Sequence, residues 1–125
     1  MKKEIETHCK NVRCVFQGGK EICLCPAEGI IHVISKKWAL LIISTIGNNK
    51  KIRFNKIMKD LGEISPKTLA DRLKELEKSG LIERKVFAEI PPRVEYSLTQ
   101  DGVEFRDSII PLMKWASKKE SHKKL

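Results

Sequence analysis

Between Ile64 and Gly80 the chain reads ISPKTLADRLKELEKSG, and this stretch limits the fold more than any other. Ser65 is a good N-cap, Pro66 suits the first helical position and Gly80 is a good stop, so one short helix is expected between them. Leu69, Leu73 and Leu76 recur at i, i+4 and i+7 and form a single narrow apolar stripe. Lys67, Asp71, Lys74 and Lys78 fall on the opposite side, with Thr68, Arg72 and Glu75 on a flank. Alone, such a helix is an ordinary amphipathic element with a solvated charged side. The neighbouring segments change the reading: Leu81–Phe87 and Arg93–Leu98 are β-rich runs, and in the second Val94, Tyr96 and Leu98 alternate with Arg93, Glu95 and Ser97. Pro91-Pro92 cannot continue a ladder and marks the tip between the strands. Helix, strand, proline-rich tip and strand make a winged helix.

The rest of the chain is expected to complete a mainly α fold with a small β-wing (α+β). Ile52–Leu61 reads as the first helix of a helix-turn-helix, with Phe54, Ile57, Met58 and Leu61 inward and Gly62-Glu63-Ile64 as the turn. In such a motif the first helix crosses the DNA backbone and the second enters the major groove. Arg53, Asn55 and Lys56 are therefore candidate phosphate contacts. Lys67, Thr68, Asp71 and Arg72 are candidate base readers, with Ser65 at the head of the same DNA-facing set. Lys74 and Lys78, further along, suit phosphates, and Arg72 has an internal carboxylate as its alternative partner. Arg84, Lys85 and Arg93 bring positive charge to the wing. Arg93 beside the prolines is the first candidate for a narrow minor groove.

Ala27–Ile34 reads as a short apolar helix, and Trp38–Ile46 as the central core helix, ended by Gly47-Asn48. After Thr99 as N-cap, a helix is expected from Gln100 to about Lys119, kinked or split at Pro111. Its apolar surface is too broad for a small monomer to cover, which points to an interface between two copies. Ile30, Ile109, Leu112 and Trp115 on the two terminal helices are the candidate dimer contacts. The expected organisation is a cysteine-rich segment over 1–25, a winged domain over 26–119 and a basic tail over 120–125.

All four cysteines, Cys9, Cys14, Cys23 and Cys25, precede Pro26. A hairpin turning at Gly18-Gly19 would pair Cys14 with Cys23 and place Cys25 on the face of Cys23. That arrangement permits a reversible disulfide or a soft metal. Four thiolates suit tetrahedral Zn²⁺, although the C-x4-C-x8-C-x-C spacing lacks paired C-x2-C knuckles. No cofactor is required, and Zn²⁺ is a candidate only at these cysteines. Cys25 also starts a helix, where a thiolate is stabilised and hence reactive.

Cys25-Pro26, Lys37–Ile42, Arg53-Phe54, Ile64–Leu69, Arg72–Leu76, Gly80–Arg84 and Pro91–Thr99 closely resemble the HxlR-type winged helix-turn-helix transcriptional regulators, with the motifs in the family's order. The resemblance implies a homodimeric DNA-binding regulator with its dimer contact on the terminal helices, and matches Cys25 to the cysteine implicated in redox sensing in several members. The other three cysteines are not part of that pattern.

Charge agrees with the expectation: 25 Lys and Arg against 16 Asp and Glu give +9, suited to a polyanion. The longest apolar run, Trp38–Ile46, is too short to span a bilayer, and no secretion signal follows Met1, so a cytoplasmic protein without a membrane partner is expected. No acid–base pair, phosphate loop or nucleophile triad accompanies the cysteines, which argues against an enzyme. The expected function is sequence-specific binding of double-stranded DNA by a dimer responsive to redox state or metal. The alternative is a basic nucleic-acid-binding protein without sequence preference.

Overall fold

The computed structural model describes residues 29–123, in two compact units divided between Lys36 and Lys37. In the first unit the described part is a single helix, α1 (Gly29–Ile34), which buries none of its residues. Ala27 and Glu28, expected to begin it, and all four cysteines lie outside the described residues.

The second unit runs α2 (Ala39–Asn49), α3 (Phe54–Leu61), α4 (Pro66–Lys78), β1 (Ile82–Phe87), β2 (Arg93–Leu98) and α5 (Gln100–Lys123). Its core is apolar throughout, and no polar side chain among the described residues is buried. Ile42, Ile43 and Ile46 of α2 are fully enclosed, as are Ile57 of α3, Leu69 and Leu76 of α4, and, to within 2%, Leu81 and Ile82 at the start of the wing. Each such side chain contributes about 1.5–3 kcal/mol by leaving water. β1 and β2 pair antiparallel from Ile82↔Leu98 to Phe87↔Arg93.

Four local expectations change. α2 does not stop at Gly47-Asn48 but continues through Asn49. Gly47 is there for space: a Cβ would collide with the Arg106 side chain and press on Leu98 Cδ1. Trp38 precedes α2 in the left-handed region (φ 81°) and is half-buried. Ile52 is not helical; it exchanges two backbone hydrogen bonds with Tyr96, at 2.9 and 2.8 Å, and so adds a third short edge to the wing. α5 runs unsplit through Pro111 and past Lys119 to Lys123. Pro111 removes one helical hydrogen bond, to the Asp107 carbonyl, and both residues are exposed, so water can serve that carbonyl.

Thr99 caps α5 as expected: its Oγ1 accepts from the Gly102 N–H at 3.1 Å and donates to the Gly80 carbonyl. This junction tolerates no side chain at position 102, where a Cβ would collide with the Leu81 carbonyl oxygen. Alanine favours a helix over glycine by up to ~1 kcal/mol. Gly102→Ala is nevertheless expected to destabilise the chain by about 1–3 kcal/mol, because a backbone atom must move. A lowered urea midpoint at constant m checks this, and an unchanged or raised midpoint would refute it.

Candidate nucleic-acid interface

α3 and α4 are joined by a tight turn that Gly62 makes at φ 79°, its N–H bonding to the Met58 carbonyl at 2.9 Å. Ile64 then turns inward, only 4% exposed. α4 opens on Ser65, whose Oγ accepts from the Thr68 N–H at 3.1 Å and donates to Thr68 Oγ1 at 2.8 Å. Ser65 is therefore occupied as a cap, while the Thr68 hydroxyl keeps its own proton for an outside acceptor. The leucine stripe is buried, and on the opposite side Lys67, Asp71, Lys74 and Lys78 are all exposed.

Arg72 takes the alternative that its position offered. Its Nε donates to the Lys37 carbonyl at 3.0 Å and its Nη1 meets Glu75 Oε1 at 2.9 Å. It ties α4 to the residue before the left-handed Trp38, 35 positions away in sequence. Of the phosphate candidates, Arg53 stands at the N-cap of α3, Asn55 follows in its first turn, and all three including Lys56 are exposed. Lys56 also pairs with Asp60 at 2.9 Å, an exposed contact worth little.

On the wing, Arg84 and Lys85 are exposed, whereas Arg93 is half-buried. Its guanidinium carbon lies 4.1 Å from the centre of the Phe87 ring, its cross-strand partner, and its nitrogens lie 3.4 Å from Glu89 Oε1 and 3.7 Å from Glu95 Oε2. Lys85 Nζ stands 5.5 Å from the same ring. Arg93 is thus a brace within the hairpin, stacked on an aromatic face and flanked by two carboxylates at distances too long for tight pairs. The tip it braces carries a fully exposed Ile90.

The candidate dimer residues divide. Ile109 is 6% exposed and belongs to the chain's own core, on the α5 face of the buried Gly102, so it is not open to a second copy. Leu112 at 48%, Trp115 at 58% and, in the first unit, Ile30 at 46% remain open. Lys50 and Lys51 read in the sequence only as a polar connection. Both are exposed just before the Ile52–Tyr96 bridge and so are carried to the edge of the wing. The signal available was a Lys pair directly before a β-branched residue.

Among the described residues no helix is long and apolar enough to cross a membrane, and no three His, Cys, Asp or Glu side chains gather as a metal site.

Comparison with known proteins agrees with this geometry. The family described as HxlR-like helix-turn-helix matches residues 33–124. An uncharacterized HTH-type transcriptional regulator of Methanothermobacter thermautotrophicus is 38% identical over 104 residues, 83% of this chain and 79% of that protein. The crystal structure of a possible HxlR family transcriptional factor from Thermoplasma volcanium matches with a TM-score of 0.76 and 34% identity, over 87% of this chain and 97% of that one. The redox regulator HypR in its oxidized form matches with a TM-score of 0.68 and 32% identity, over 75% and 96%.

Proposed function

The chain belongs to the HxlR-like helix-turn-helix family and is an HTH-type transcriptional regulator rather than an enzyme; from that premise we propose that it reads a near-palindromic DNA site as a homodimer. The observation that carries the reading is the exposed face of α4, with Lys67, Lys74 and Lys78 turned outward beside a hairpin that presents Arg84 and Lys85. The α4 N-terminus addresses base edges through Lys67, Thr68 and Asp71, and Arg53, Asn55, Lys56, Lys74 and Lys78 meet phosphates. Two such heads, about 34 Å apart, would enter successive major grooves. Titration of the protein against its promoter and against random duplex at physiological salt tests the reading. A regulator of this kind shows at least a ~10³-fold preference, and equal affinity would leave only a basic nucleic-acid binder.

The regulatory half of the proposal concerns the four cysteines. A redox response is supported by the likeness to HypR, described as a redox regulator, and by the Cys25-Pro26 motif. Oxidation or alkylation at Cys25 would act if its two states favour different dimer geometries. By donor chemistry alone Cys9, Cys14, Cys23 and Cys25 suit one Zn²⁺. Metal and thiol counts on untagged protein separate the two: one zinc per chain supports the metal, and four freely reacting thiols without metal exclude it. Footprinting with and without oxidant then reads the response itself, and an identical footprint in both states would refute it.

A further inference from the structure

Between α2 and α5 runs a groove of about 440 Å³, lined by Ser44 of α2 and, on α5, by Arg106, Ile110, Met113, Lys114, Ser117 and Lys118. The α5 residues recur at i, i+4, i+7, i+8, i+11 and i+12, so they occupy one face, roughly opposite the face of Leu112 and Trp115 at about 100° per residue. A partner chain docked on Leu112 and Trp115 would therefore leave this groove open.

The groove's chemistry is one-sided. Ile110 and Met113 give it an apolar wall, Ser44 and Ser117 give hydroxyls, and three cations line it with no carboxylate among them. Arg106 is held in place from the other side: its Nη2 donates to Asn48 Oδ1, and its Nε is packed against Gly47, closed to solvent. Unbalanced cations around an apolar trough favour an anion with a greasy body, which neutralises the charge and covers Ile110 and Met113 in one step.

The geometry points to a binding site for a small amphipathic organic acid, an aromatic carboxylate or sulfonate with its anionic head at Arg106, Lys114 and Lys118 and its ring against Ile110 and Met113. Because the ligand touches both the core helix and α5, it biases the angle between them. In the dimer this shifts the separation of the two reading heads, a consequence that rests on the DNA-reading proposal above.

The test uses the full chain without DNA, so its outcome is independent of that reading. The probe is 1-naphthoate, with uncharged 1-naphthylmethanol as its counterpart, followed by NMR at the Met113 methyl and the Ser44 amide. The expected result is saturable binding with shifts at both positions and affinity at least about tenfold above that of the alcohol. Lys114→Glu combined with Lys118→Glu should weaken 1-naphthoate by a similar factor with the unfolding midpoint unchanged. Should the charge reversal disturb folding, Lys114→Gln with Lys118→Gln serves instead. Equal binding of acid and alcohol, shifts centred on Leu112 and Trp115, or unaltered affinity in the Lys variants would each overturn the proposal.

Discussion

Replacing Lys67 and Thr68 together by Ala is expected to weaken binding to the native operator by at least about 100-fold, because each good base contact is worth roughly 1–3 kcal/mol and the proposed dimer would lose both contacts twice. Affinity for random duplex should fall by no more than about threefold, since that binding draws on the charge of the whole chain, +9, of which Lys67 is one part. The helix itself should survive. Both positions lie in the first turn of α4, Lys67 opposite its leucines and Thr68 on the flank, and the Ser65 cap uses the backbone N–H of residue 68, which alanine keeps. The contrast is Lys78→Ala at the far end of α4, expected to weaken all duplexes alike and to reduce the salt slope by about 0.9 for each phosphate no longer neutralised. Gel-shift titrations over a salt series on both duplexes measure all of this. If the double variant lost operator and random duplex equally, Lys67 and Thr68 would be backbone contacts and the base readers would lie elsewhere.

That α4 and the wing were legible in the sequence comes from how local their signals are. Ser65, Pro66 and Gly80 act within one turn of the helix they bound, and the alternation Val94, Tyr96, Leu98 needs only its neighbouring strand. Two of the features that escaped depend on residues distant in the chain, and a third on how the hairpin folds. Gly47 looks like a stop until Arg106 is found against it, 59 positions later. Arg72 looks like a reader until the Lys37 carbonyl is brought to its Nε. Arg93 shows its charge in the sequence, but not the Phe87 ring and the Glu89 and Glu95 carboxylates that the hairpin folds around it. Periodicity also shows that α5 is apolar on more than one side without saying which side meets its own core. Ile109 and Leu112 are three residues apart, and only packing against the rest of the unit separates a buried residue from an open one.

Leu112→Glu combined with Trp115→Glu is expected to yield a folded monomer that binds the operator about 10³-fold more weakly than the parent. Both side chains are about half exposed in the single chain, so the substitutions remove little from its core, and Ile109, which does belong to the core, is untouched. Between two copies the effect is different: an unpaired carboxylate enclosed against apolar surface costs several kcal/mol, and a two-fold interface meets each change twice. The same side of α5 carries Asp101 and Glu104 in its first half and Lys119 in its second. Antiparallel helices would therefore set acid against base across the axis, a complementarity that the added glutamates spoil. A monomer engages one half-site with one reading head, and the free energy of the second head disappears from operator binding while binding to random duplex changes far less. Sedimentation at tens of micromolar and operator titration give the two readouts. A variant that stays dimeric would place the interface elsewhere than α5. A monomer that still binds the operator at full strength would show that one head suffices, and the palindromic site would have to be abandoned.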